Sequence, residues 1–191
     1  FMLQPACARM GRVHARLTAF GPPPYIGVSW RAGTAKQEKL FKSIDPAAIG
    51  RVLAPLGGTP VVLQRNPSPD EQHAFEAALG RPSFDASAAN DDLAEMAALI
   101  AVLDEYVAVS NTNVHLCAGL GKGCRVLVPS PAEFRWLAHG DSTPWFPHFR
   151  IYRQSVTGNW QAALAHLAQD LLTGRSDDGK SDRQICEVTR S

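Results

Sequence analysis

The feature that most restricts this chain is an alternation. Short apolar segments of strand character recur between segments whose apolar residues fall at helical spacing. The strand-like pieces are Tyr25-Ile26-Gly27-Val28-Ser29-Trp30, Thr59-Pro60-Val61-Val62-Leu63-Gln64, Glu105-Tyr106-Val107-Ala108-Val109-Ser110, Cys124-Arg125-Val126-Leu127-Val128 and Phe149-Arg150-Ile151-Tyr152, with a weaker one near Pro82-Ser83-Phe84. Between them, Asp45-Pro46 caps and opens a helix carrying Ile49, Val52, Leu53 and Leu56, which Gly57-Gly58 stops. Ser68-Pro69 opens a second helix ending at Gly80, and Asp91-Asp92 a third carrying Leu93, Met96, Ala97, Ile100 and Leu103. A fourth runs from Asn111 to about Leu120, and a fifth from Trp160 to Leu172. Short apolar strands alternating with helices imply βαβ units and a mainly parallel sheet covered on both faces. Right-handed crossovers then give an α/β, doubly wound, Rossmann-like domain.

This domain is expected over residues 25–172. Residues 1–24 read as a basic lead-in or linker closing with Gly21-Pro22-Pro23-Pro24, with His14-Ala15-Arg16-Leu17 as the tail of a short helix. Residues 173–191 read as a polar, flexible tail.

Composition removes several function classes. With 19 Lys+Arg against 18 Asp+Glu, the formal net charge of +1 excludes a broad electrostatic nucleic-acid binder. No apolar run approaches the roughly 18–20 residues that cross a bilayer. Cys7, Cys117, Cys124 and Cys186 form no C-x-x-C pair, and no histidine cluster has metal-ligand spacing, so neither metal nor cofactor is expected. Cys117 and Cys124 read as buried reduced thiols, and no secretory signal opens the chain, which together point to a cytoplasmic location.

An open α/β sheet binds its ligand at the carboxyl ends of its strands, so the loops to inspect follow Trp30, Gln64, Ser110 and Val128. After Ser110, the residues Asn111-Thr112-Asn113-Val114-His115 open a helix whose first-turn N–H groups and dipole favour an anion. His115 lies four residues after Asn111, on the same helical face, and its imidazole is expected to stay neutral there. The plainer alternative makes Asn111 an N-cap and His115 an ordinary half-buried histidine. After Trp30, Arg31, Lys36, Lys39 and Lys42 against Glu38 leave a local excess of three positive charges beside Gly33 and Thr34, which allow a phosphate close to the backbone. An ordinary solvated loop explains the same charges. Gly119-Leu120-Gly121-Lys122-Gly123 follows a helix rather than a strand and reads as a helix end and turn. The acidic Asp91-Asp92-Leu93-Ala94-Glu95 could supply a general acid and base, but acids at a helix start are commonly caps, and Asp92 and Glu95 read as capping-box partners. Glu133-Phe134-Arg135-Trp136 and Thr143-Pro144-Trp145-Phe146 place aromatics beside the carboxyl edge, suited either to base stacking or to packing a long loop. No G-x-S-x-G nucleophile elbow occurs.

In collinear order over about residues 14–172, these segments resemble the C-terminal half of two-Rossmann GT-B glycosyltransferases. More narrowly, they resemble the ADP-heptose:lipopolysaccharide heptosyltransferases and relatives fused behind tetratricopeptide repeats. The resemblance is carried by Ile26-Gly27-Val28-Ser29-Trp30-Arg31-Ala32-Gly33, Val61-Val62-Leu63-Gln64, Asp92–Ile100, Val109-Ser110-Asn111-Thr112-Asn113-Val114-His115-Leu116, Phe134-Arg135-Trp136-Leu137 and Ser142–Pro147 leading to Arg150–Gln154. Heptosyltransferases usually carry Asp and then Thr or Ser where this chain has Ser110-Asn111.

The resemblance implies a nucleotide diphosphate-sugar donor held in this half. Arg31, Gly33, a lysine of the following loop (Lys36 or Lys39) and Gln64 would lie towards the donor, and Asn111, Thr112, Asn113 and His115 would meet diphosphate and sugar. The implied reaction is sugar transfer with inversion, in which a base deprotonates the acceptor hydroxyl and the leaving diphosphate is stabilised electrostatically. Family members take that base from the N-terminal half, or sit behind a repeat segment. This 191-residue chain has no room for that half, so it is expected to bind donor without turnover. No metal is required, and no Asp-x-Asp occurs. The competing reading is a stand-alone Rossmann-like interaction module whose crevice no longer works.

Overall fold

A computed structural model describes residues 2–32 and 42–174. In chain order the elements are α1 (Cys7–Phe20), β1 (Tyr25–Ser29), α2 (Pro46–Leu53), β2 (Thr59–Val62), α3 (Pro69–Leu79), β3 (Phe84–Asp85), α4 (Leu93–Val102), β4 (Glu105–Val109), α5 (Thr112–Gly119), β5 (Cys124–Val128), β6 (Phe149–Arg153) and α6 (Gln161–Thr173). The strands form one sheet in the order β3-β2-β1-β4-β5-β6, and all neighbouring pairs are parallel. This is the doubly wound Rossmann-like α/β architecture, with the strand order reversing between β1 and β4.

Side-chain alternation along the strands builds two apolar layers. Tyr106 and Ala108 of β4 join α1, α4 and α5 on one face, while Val107 and Val109 join α2, α3 and α6 on the other. Gly27 faces the first layer with no side chain, and Leu103, Tyr106 and Leu63 fill the space that a Cβ would take. Local capping fixes where helices begin. Asp45 accepts from Ala47 N ahead of Pro46, and Ser68 and Glu71 form a complete capping box on α3. Gly121, just past α5, adopts a left-handed φ of 71°, as a helix-ending glycine should.

Two expectations change. Residues 7–20, expected as a lead-in with only a short helical tail, form a helix of 14 residues that buries Val13 and Leu17 in the first layer. It covers the outer side of α4, which is why Met96 to Ile100 are buried without a break. Asp92 does cap α4, accepting from the N–H groups of Ala94 and Glu95. The Glu95 carboxylate, however, turns to Arg9 (3.5 Å) and Arg16 (3.6 Å) of α1 instead of back to the cap backbone. An ion pair with a neighbouring helix thus takes the place of half the capping box. Cys117 and Cys124 are buried free thiols. Among the described residues, no helix is long and apolar enough to cross a membrane. The flexible tail expected over residues 173–191 lies almost wholly, at 175–191, outside the described residues.

Candidate functional site

The site is set by one register. Ser29 of β1 pairs with Ala108 of β4, so the chain leaves both strands on the same rim, at the point where strand order reverses. In open α/β sheets, crossovers running to opposite sides make such a point the usual place for a ligand crevice.

On the β1 side, Gln64 acts as a strut. Its Oε1 accepts from the backbone N–H groups of Trp30 (3.0 Å) and Arg31 (2.9 Å), and the residue is buried. The Arg31 guanidinium, expected near a diphosphate, turns towards α3. Its Nε donates to Glu71 Oε1 at 2.7 Å, and its Nη2 donates to Glu71 Oε2 at 2.9 Å and to the Asn66 carbonyl at 2.6 Å. Gly33, Lys36 and Lys39 lie outside the described residues. The chain returns beside its point of departure: Ala32 N–H donates to the Lys42 carbonyl, and Ile44 N–H to that of Trp30.

On the β4 side, Asn111 is the N-cap of α5, its Oδ1 accepting from Val114 N. Thr112 is exposed at the first turn. Asn113 is buried and donates to Asn90 Oδ1 (3.1 Å), while Asn90 Nδ2 donates to the Leu63 carbonyl. That relay ties α5 to the end of β2. His115 is exposed and meets Phe146 edge-on at 5.4 Å. Partial burial, then the positive charges of Arg135 and Lys42, hold its imidazole below the usual histidine range against an opposing pull from Glu133. The ring is therefore neutral at pH 7, but through desolvation and nearby cations rather than through its place on the helix.

The third contributor is the loop after β5. Glu133 Oε2 accepts from Ser110 Oγ (2.5 Å) and Trp136 Nε1 (3.1 Å); Oε1 accepts from Lys42 Nζ (2.6 Å) and Arg135 Nη2 (2.5 Å). Although burial pushes the Glu133 carboxyl up, its hydrogen bonds from Lys42 and Ser110 win, and it lies below the usual carboxylate range. Beside it stand Phe134 and Trp145, exposed and packed edge-to-face at 6.0 Å. In the sequence, Glu133-Phe134-Arg135-Trp136 stands out for its aromatics and Lys42 for its charge, with nothing to join them. The available signal was their common position in loops that follow β1 and β5.

The structure thus brings Lys42, Ser110, Asn111, His115, Glu133 and Arg135 to one rim, and it commits Arg31, Gln64 and Asn113 to internal bonds. A separate open depression lined by Asn66, Ser68, Gln72, His73, Glu76 and Asp85 lies on the β2–β3 side, away from the reversal point. No group of three or more His, Cys, Asp or Glu side chains among the described residues is arranged to hold a metal ion.

No protein-family model matches the chain. It is 27% identical over 177 residues to the protein FlbA of Caulobacter vibrioides, a match covering 88% of this chain and 28% of FlbA. Among solved structures it resembles the glycosyl transferase family 9 protein of Veillonella parvula, with a TM-score of 0.62, 10% identity, and coverage of 92% of this chain and 52% of that one. At that identity the likeness is one of fold. The chain spans about half the length of that structure and less than a third of FlbA.

Proposed function

We propose that this chain is the nucleotide-sugar donor-binding domain of an inverting glycosyltransferase of the GT-B type. The observation that carries the reading is the β1–β4 register, which sets the Trp30 and Ser110 turns side by side at the reversal point of a glycosyltransferase-like fold. In this reading the first-turn N–H groups at Asn111 and Thr112 and the neutral His115 meet diphosphate and sugar, as hydrogen-bonding groups rather than as cations. Arg31, Gln64 and Asn113 hold the loops in place. The acceptor and the base belong to a further segment, an N-terminal half or a repeat region, so the 191-residue chain binds donor without transferring it.

A thermal-shift screen with nucleoside diphosphates and their sugars tests this. A ligand at a hundredfold excess over its Kd stabilises by about 2.7 kcal/mol, which for a domain of this size raises Tm by about 5–11 °C. The gain should shrink in His115→Ala. No shift with any such ligand would defeat the donor reading, and turnover by the isolated chain would defeat the division of labour. A specific observation favours the second reading, an interaction module without transferase activity: Arg31 is paired with Glu71, and Lys42 and Arg135 both already bond Glu133. That reading calls for no nucleotide shift at all.

A further inference from the structure

Glu133 sits where four donors converge: an ammonium, a guanidinium, a hydroxyl and an indole N–H. They come from three loops, following β1 (Lys42), β4 (Ser110) and β5 (Arg135 and Trp136). Charged and neutral donors are sorted by oxygen. Both cations bond Oε1, whereas Ser110 and Trp136 bond Oε2, and Trp136 Nε1 also donates to Ser110 Oγ at 3.0 Å. One carboxylate between two cations leaves one positive charge uncompensated within the cluster. Arg135 has spare capacity as well, because its buried Nε finds no acceptor among the described residues. A buried charged donor without an acceptor is costly.

We propose that Lys42 and Arg135 are the cationic half of a diphosphate-binding site and that Glu133 holds their seat as an internal counter-ion. A diphosphate oxygen replaces Oε1 on the two cations, while Oε2 stays bonded to Ser110 and Trp136. The carboxylate then rotates locally and the three loops stay joined. No covalent bond changes. Glu133 sets a threshold: only a ligand with more negative charge than a single carboxylate displaces it, which favours diphosphates over monoanions. The proposal deepens the donor-domain reading for the identity of the ligand, but the anion chemistry stands on the cluster alone.

The test is titration calorimetry on the full chain with inorganic pyrophosphate at fixed ionic strength. Glu133→Gln keeps the side chain's shape and removes its charge. It should tighten pyrophosphate about tenfold, since a like charge a few ångströms from the ligand is gone. Adding Lys42→Met should abolish the gain. Unchanged or weaker binding by a Glu133→Gln protein with a wild-type thermal transition would overturn the proposal. Should that variant fail to fold, Lys42→Met and Arg135→Met in the otherwise native chain serve instead; each should weaken pyrophosphate binding, and unchanged affinity in both would overturn it. The two readings fail separately. Pyrophosphate binding of this kind without any nucleoside diphosphate shift sinks the donor assignment alone, and the reverse result sinks the counter-ion alone.

Discussion

Arg31 separates a ligand-binding role from a structural one, and replacing it with Met tells them apart. Its side chain is 6% exposed, and its partner Glu71 is 23% exposed. Removing one member of a buried ion pair costs about 3–5 kcal/mol, because the other charge is left desolvated. Here Glu71 reaches some solvent and also accepts from Ser68 N (2.8 Å) in the α3 capping box, so its carboxylate is not abandoned. The loss is therefore about 2–3 kcal/mol. For a domain of this size that lowers Tm by about 4–12 °C. Thermal unfolding followed by circular dichroism measures it, and a double-mutant cycle with Glu71→Gln should show coupling of about 1 kcal/mol or more. Nucleoside diphosphate affinity, measured well below the new Tm, should change little. If Arg31→Met unfolds like wild type yet loses nucleotide binding, the guanidinium serves a ligand and the structural argument is wrong.

Leu17 is fully buried on α1, so Leu17→Ala should cost about 2–4 kcal/mol in denaturant unfolding; a neutral result would return residues 1–24 to the status of a linker. Gly50 lets α2 approach α3 so closely that an added Cβ would lie 2.5 Å from the Phe75 carbonyl oxygen, and Gly50→Ala should destabilise by about 1–3 kcal/mol despite alanine's better helix propensity. His115 is held below its ordinary pKa, so the unfolded chain takes up its proton first, and the stability it contributes is full above the ordinary value and falls as pH drops through it. Replacing it with Asn should shrink the Tm difference between pH 7.5 and pH 5.5 by about a degree or two, small because the ring is exposed and solvent screens it; a wider difference would reverse the assigned direction.

Much of the scaffold was legible because it is written in short-range chemistry. Asp45 before Pro46, Ser68 three residues before Glu71, Asp92 ahead of an apolar run and Asn111 at a strand's end are caps whose partners lie two or three residues away. The alternation of strands and helices likewise led to a parallel, doubly wound sheet, since parallel strands need crossovers. The N-cap at Asn111 was visible for the same reason. The reach of α1 was not, because its first turn carries no side-chain cap and its apolar face shows only once α4 is in place beside it.

Partnership at long range was decided by tertiary structure. Arg31 finds Glu71 across 40 residues and Lys42 finds Glu133 across 91, while Asn113 finds Asn90 across 23. A sequence shows that a loop is basic or that a helix start is polar. It does not show which carboxylate will stand opposite, because that depends on strand order, register and the direction each loop takes from the sheet edge. The chain's own pattern marked polar and basic loops at the sheet's carboxyl edge; the packing of three distant loops around Glu133 determined which cations stand there and what holds them.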